Sequence, residues 1–190
     1  MSTQPKARLT PQEYLEIERK ADYKSEYHDG EMFAMSGARR SHNLVAMNIG
    51  ANVHRQLRGR PCEVYASDMR VLVNSSGLYT YPDVTVVCGT PQFLDVATDT
   101  LLNPVVLVEV LSPSTEAYDR GRKFEHYRTI ASLRQYVLVA SDRVQVDVFT
   151  RQDGEQWLLT SASAPGSEIE LASIECRLSV ADIYDKVEFV

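Results

Sequence analysis

The chain has 190 residues, 44% of them hydrophobic and 24% charged, enough for one globular domain spanning 1–190 with a sizeable core and too few for a second. A formal net charge of −6 argues against adhesion to nucleic acid over a wide surface, although Arg39, Arg40, Arg55, Arg58 and Arg60 fall in a stretch from Met32 to Cys62 that holds no Asp or Glu. No run approaches the roughly 18 apolar residues of a membrane span, and three widely spaced cysteines, Cys62, Cys88 and Cys176, indicate neither a disulfide framework nor a zinc site, so a soluble cytoplasmic protein with reduced thiols is expected.

Thr10-Pro11-Gln12-Glu13 combines a capping hydroxyl, a proline at the first helical position and a glutamate three residues after the cap, which predicts a short helix to about Ala21. The Asp29-Gly30 pair between strand-like segments predicts a hairpin. Val45, Ile49, Val53 and Leu57 recur every four residues, predicting a helix from Ser41 to Leu57 with one buried stripe. The pattern then turns to β: Glu63 to Val73, a turn at Asn74-Ser75-Ser76-Gly77, Leu78 to Cys88, and after a loop Val105 to Leu111. Ser112-Pro113-Ser114-Thr115 offers caps for a helix reaching about Ala131. Gln135 to Ala140 and Val144 to Thr150 read as a hairpin, followed by strands at Gln156 to Thr160 and Glu168 to Glu175. An exposed Val144-to-Thr150 edge would be able to pair with a second copy. The layout is a mixed β-sheet with helices, hence α/β or α+β.

Glu109 lies inside the apolar run Val105-Val106-Leu107-Val108-Glu109-Val110-Leu111, where an ionised carboxylate is costly unless a metal, a basic side chain or hydrogen bonds compensate. If the strand after Asp83 pairs antiparallel with this one so that 83 faces 109 and Val87 faces Val105, both carboxylates share one side of the sheet at about 5 Å between Cβ atoms, close enough for one divalent ion. Oxygen ligands with retained water suit Mg²⁺ or Mn²⁺. On the following helix Asp119, Lys123 and Tyr127 recur every four residues and so share a face, with Lys123 bordering the sheet. Two carboxylates on a metal beside a lysine meet the requirements of phosphodiester hydrolysis.

Pro82-Asp83, the run Val108-Glu109-Val110-Leu111-Ser112-Pro113-Ser114-Thr115, and Asp119 with Lys123 and Tyr127 resemble the Uma-type restriction endonuclease family of the PD-(D/E)XK nuclease superfamily. Glu26-Tyr27-His28-Asp29-Gly30-Glu31, His42, Ser67-Asp68-Met69-Arg70-Val71 and the segment from Leu178 to Tyr184 extend the resemblance over nearly the whole chain. It implies a restriction-endonuclease-like central mixed sheet flanked by helices with additional β-hairpins, dependence on Mg²⁺ or Mn²⁺, a nucleic-acid substrate with DNA preferred to RNA, and a homodimer. Asp83 and Glu109 map onto its metal-binding carboxylates. The superfamily lysine falls two residues after the second acid, where this chain has Leu111, so Lys123 stands as the catalytic lysine relocated to a helix.

The expected catalytic residues are thus Asp83, Glu109 and Lys123, with His42, Asp68, Asp119 and Tyr127 in support and Arg39, Arg40 and Arg55 as contacts to a nucleic-acid backbone. The competing readings make Glu109 a structural partner of Arg122 or Arg128, and the protein a catalytically reduced module that binds nucleic acid or protein. No phosphate-cradling Gly-rich loop, Gly-x-Ser-x-Gly elbow or HExxH helix is present, so covalent serine hydrolysis has no support.

Overall fold

The computed structural model describes residues 8–189. Helix α1 (Pro11–Glu18) opens on a reciprocal cap in which Thr10 accepts from the Glu13 N–H and Glu13 accepts from the Thr10 N–H. Strands β1 (Ser25–His28) and β2 (Glu31–Ala34) form the hairpin, turned through Asp29 and Gly30 at φ of 49° and 82°, the paired left-handed conformations that suit the right-handed twist of the flanking strands. Helix α2 (Arg40–Leu57) buries Val45, Ile49, Val53 and Leu57. Its N-terminus has no side-chain cap, so the helix is held mainly by burial of that stripe, roughly 1.5–3 kcal/mol per large side chain.

Two of the runs expected as single strands are each broken. Glu63 to Val73 becomes β3 (Cys62–Ala66) and β4 (Arg70–Val73), and Leu78 to Cys88 becomes β5 (Leu78–Thr80) and β6 (Val84–Cys88). At Ser67-Asp68-Met69 and again at Tyr81-Pro82-Asp83 the chain crosses between sheets. Pro82 has no N–H to give to a ladder, which suits it to the second break. The outer half of this bent hairpin, β4 with β5, belongs to a five-stranded sheet ordered β2, β1, β5, β4 and β7 (Thr100–Leu101).

The inner half belongs to the six-stranded sheet. There β3 pairs with β6, β6 pairs antiparallel with β8 (Val106–Leu111), and β8 runs parallel to β9 (Gln135–Ala140). A parallel pair needs a crossover, supplied by α3 (Glu116–Tyr118), a π turn over Asp119–Lys123 and α4 (Phe124–Tyr127). Strands β10 (Val146–Arg151) and β11 (Trp157–Ala162) complete the sheet. The Val144-to-Thr150 stretch is therefore not an edge: β10 is hydrogen-bonded on both sides, and the edges are β3 and β11. The last expected strand is a small hairpin instead, β12 (Glu168–Leu171) and β13 (Cys176–Ser179) around a turn with Glu175 at φ 48°, followed by α5 (Val180–Ile183).

The fold is α+β. Val84, Val86, Val106, Val108 and Val110 face α2 and the C-terminal hairpin, while Leu107, Leu111, Tyr136 and Leu138 face the crossover helices and Val71 and Val73 of the other sheet. Cys62 and Cys88 stand directly opposite each other in the β3–β6 ladder and are joined by a disulfide, leaving Cys176 buried and free. This corrects the expectation of three unpaired thiols, because strand register brings together cysteines that are 26 residues apart in sequence. Among the described residues no helix is long and apolar enough to cross a membrane.

Candidate active site

The β6–β8 ladder pairs Val84 with Val108, Thr85 with Leu107 and Val86 with Val106. Continued by one residue, the same register sets Asp83 opposite Glu109, on the face that carries Leu107 and Leu111. Asp83 is fixed from two sides: its Oδ1 lies 2.9 Å from His42 Nε2, and its Oδ2 accepts the Val110 N–H at 2.7 Å. The β8 backbone next to Glu109 therefore orients the opposing carboxylate.

Glu109 is 5% exposed. Its Oε1 accepts the Tyr127 hydroxyl at 2.7 Å and lies 2.9 Å from Lys123 Nζ, so Lys123, and neither Arg122 nor Arg128, is its cationic partner. Lys123 Nζ also lies 3.0 Å from Glu26 Oε1 and 3.6 Å from Asp119 Oδ1. Glu26 accepts in addition the Thr80 hydroxyl.

The π turn accounts for three of these side chains facing inward together. In an unbroken α-helix the step from Asp119 to Tyr127 would overshoot two full turns by about 80°. One turn with i→i+5 bonding takes up an extra residue and removes most of that overshoot, so Asp119, Lys123 and Tyr127 all face the sheet.

Acids outnumber cations here. Burial pushes the Glu109 carboxyl well above the usual range, and its neighbours Asp119 and Asp83 add to the rise against the opposing pull of Lys123. Burial likewise raises Asp119. Burial opposes the charged form of Lys123, but the charges of Glu109, Glu26 and Asp119 overcome it and hold its pKa well above the usual lysine value. At His42 burial also opposes the charged form, and the hydrogen bond and charge of Asp83 outweigh it, so the ring's pKa is raised.

The donor chemistry fits a hard divalent cation: the acids present only oxygens, their negative charge exceeds that of the nearby cations, and Glu109 Oε2 takes no hydrogen bond among the described residues. Among those residues, however, no three Asp, Glu, His or Cys side chains are gathered around one point as ready-made ligands, because Lys123 Nζ occupies the space between the acids.

Asp68 is not part of this cluster. Its side chain is 92% exposed and pairs with Lys24 at 2.9 Å, because it sits in the turn where the chain changes sheets. Arg39 is exposed at the start of α2, Arg40 lies 3.6 Å from Glu188, and Arg55 donates to Asn52 at 2.9 Å; none contacts the acid cluster. Glu26, named above only within the family resemblance and not as a site residue, joins the cluster through Lys123. The available signal was alternation in β1, where Ser25 and Tyr27 point to the buried side and a glutamate takes the other.

The Uma2 family model, described as "Putative restriction endonuclease", matches residues 11–181. Two uncharacterized proteins of Synechocystis sp. (strain ATCC 27184 / PCC 6803 / Kazusa) are each 36% identical to this chain. One match runs over 185 residues and covers 97% of this chain and 96% of the relative. The other runs over 164 residues and covers 86% and 93%. The crystal structure of a putative nuclease belonging to DUF820 from Anabaena variabilis ATCC 29413 superposes with a TM-score of 0.77 at 18% identity, covering 95% of this chain and 99% of that one.

Proposed function

The chain belongs to the Uma2 family, and from that premise we propose that it is a divalent-metal-dependent endonuclease that hydrolyses phosphodiester bonds, with DNA as substrate and Asp83, Glu109 and Lys123 as its catalytic residues. The observation that carries the reading is a lysine ammonium held 2.9 Å from the buried carboxylate of Glu109, beside a second carboxylate fixed by His42 and the β8 backbone.

Asp83 and Glu109 would hold the Mg²⁺ or Mn²⁺ ion, which when bound supplies Lewis acidity at the phosphate and lowers the pKa of a water nucleophile. Lys123 keeps its proton and presents positive charge where negative charge develops on the phosphoryl oxygens. Tyr127 donates to Glu109 Oε1 and directs the carboxylate toward the lysine. His42 holds the Asp83 rotamer, and the hydrogen bond and charge of that carboxylate raise the ring's pKa against the opposing effect of burial. A homodimer belongs to the same proposal; the free edges of the six-stranded sheet through which copies can meet are β3 and β11.

Cleavage of supercoiled plasmid and of single-stranded DNA in Mg²⁺ or Mn²⁺, against Asp83→Asn, Glu109→Gln and Lys123→Ala, tests the reading. Each variant is expected to lose at least about a hundredfold in rate, the scale of removing one electrostatic contributor. Equal activity in wild type and all three variants would identify a contaminant and overturn it. The rival reading, a binding module without catalysis, is favoured by Lys123 sitting between the acids and by Leu111 at the strand position of the superfamily lysine. It predicts metal-independent DNA binding with no cleavage by any form.

A further inference from the structure

Arg128, Arg134 and Arg151 converge where α4 leads into β9 and where β10 ends. Arg151 stands opposite Trp157 in the β10–β11 ladder, with its guanidinium carbon 4.7 Å from the indole centroid. One of its terminal nitrogens donates to the carbonyls of Arg128 and Ile130, the latter at 2.9 Å, while its Nε is buried without a hydrogen-bond partner. Among the described residues the side chain of Arg128 makes only a 3.3 Å bond to the Glu155 carbonyl.

Other arginines of this acidic chain, such as Arg19, Arg70, Arg120 and Arg143, rest on carboxylates. Among the described residues no carboxylate lies within ion-pair distance of these three. Burial first, and then the charges of Arg134 and Arg128, lower the pKa of Arg151, with no acid opposing them. Cations gathered against their mutual repulsion and left without a counter-charge are matched by an anion from outside, and the planar fork of arginine suits phosphate oxygens.

The location narrows the ligand. Phe149 faces Tyr136 in the β9–β10 ladder, and Arg151 follows two residues later on the same side of the sheet, the side that also carries Glu109. Aromatic rings bridge the interval: Tyr127 to Tyr136 at 5.2 Å, Tyr136 to Phe124 at 5.5 Å, and Phe124 to Trp157 at 5.4 Å. The Arg134 N–H bonds the Val105 carbonyl at 2.9 Å, so the patch lies at the start of β8, about 13 Å along the strand from Glu109 at roughly 3.3 Å per residue. That interval is a few nucleotides of a single strand.

We propose that Arg128, Arg134 and Arg151, beside the partly exposed Trp157, bind backbone phosphates of a nucleic-acid strand and anchor it at a distance from the acid cluster. The strand itself rests on the nuclease reading; the phosphate chemistry of the patch does not.

Trp157 is the chain's only tryptophan, so its emission reports on the patch directly. In chelator, to prevent cleavage, the full chain is titrated with single-stranded and duplex oligonucleotides and separately with pyrophosphate. Trp157 emission is followed, together with the anisotropy of labelled oligonucleotide. Saturable quenching by oligonucleotide is expected. Arg134→Ala and Arg128→Ala should each bind roughly threefold to tenfold more weakly and reduce the slope of log affinity against log salt by about one, the signature of a lost phosphate contact. Both side chains are exposed, so folding is preserved, whereas Arg151 braces backbone carbonyls and is left intact. Oligonucleotide bound equally by wild type and both variants, with unchanged salt slope, overturns the patch and leaves the nuclease reading standing. Quenching by pyrophosphate with no oligonucleotide bound overturns the strand anchor in favour of a small-anion site. If wild type binds neither oligonucleotide nor pyrophosphate, the patch and the nuclease reading fall together.

Discussion

Glu109 is placed where its charge is least welcome. Four carboxylates, from Glu26, Asp83, Glu109 and Asp119, face one ammonium and one imidazole, and Glu109 is the acid whose pKa burial raises most plainly. A purely structural ion pair gains nothing from surplus acid, whereas a site that receives a cation does, at the expense of stability while empty. Glu109→Gln separates the two cases. The amide keeps an acceptor for the Tyr127 hydroxyl and removes one buried charge, and Lys123 keeps Glu26 and Asp119 as partners. The variant is expected to melt about 2–4 °C higher, corresponding to about 1 kcal/mol in a chain of this size, while its nuclease activity is lost. A calorimetric midpoint below that of wild type would instead make Glu109 the structural partner of Lys123 and remove the argument for a cation site.

At the scale of elements, α1 is fastened to the five-stranded sheet by a second charged cluster remote from the acids. Arg19, just past the end of α1, binds Asp99 through two nitrogens at 2.8 and 3.0 Å, and Arg70 of β4 approaches the same carboxylate at 3.0 Å. The hydrogen bond from Arg19 holds Asp99 well below the ordinary carboxylate range, against the opposing effect of burial. A depressed folded-state pKa gives stability that is present above the unfolded value, near 3.9, and is lost as pH falls toward the folded value. Asp99→Asn should therefore be less stable than wild type by a constant margin above about pH 5, and the margin should shrink steadily below about pH 4. Urea unfolding across that range reads it, and a margin independent of pH would assign the effect to packing.

The α2 stripe, the Asp29-Gly30 hairpin and the antiparallel register behind Asp83 and Glu109 were legible in the sequence because each rests on local periodicity or on spacing along paired strands. The breaks at Ser67-Asp68-Met69 and Tyr81-Pro82-Asp83 were not, since a strand-like pattern resumes directly after each and period-two alternation does not say which sheet a strand joins. Glu26 escaped for a related reason: its partners Thr80 and Lys123 come from remote segments, and alternation in β1 sets it on the face away from Ser25 and Tyr27 without saying what that face meets.

The molecule as a whole places its chemistry where two sheets exchange strands. Asp83 ends the passage from β5 to β6, and β6 is in turn flanked by β8 and by the edge strand β3. That edge is tied at its far end by the Cys62–Cys88 disulfide. The bridge closes a loop containing both sheet-to-sheet passages, so reducing it frees the unfolded chain across the segment that positions Asp83. With the cysteines 26 positions apart, the loop-entropy relation gives about 3.5 kcal/mol of stabilisation, or about 7–14 °C in midpoint. Unfolded without reductant, the protein should titrate one thiol, that of Cys176, and with reductant all three. The double variant Cys62→Ser with Cys88→Ser should melt lower by that amount while retaining the β3–β6 ladder, whose backbone bonds do not involve sulfur. Three titratable thiols before reduction, together with an unchanged midpoint in the double variant, would show the cysteines to be neighbours without a bond, and β3 would then be held by its ladder and by α2 alone.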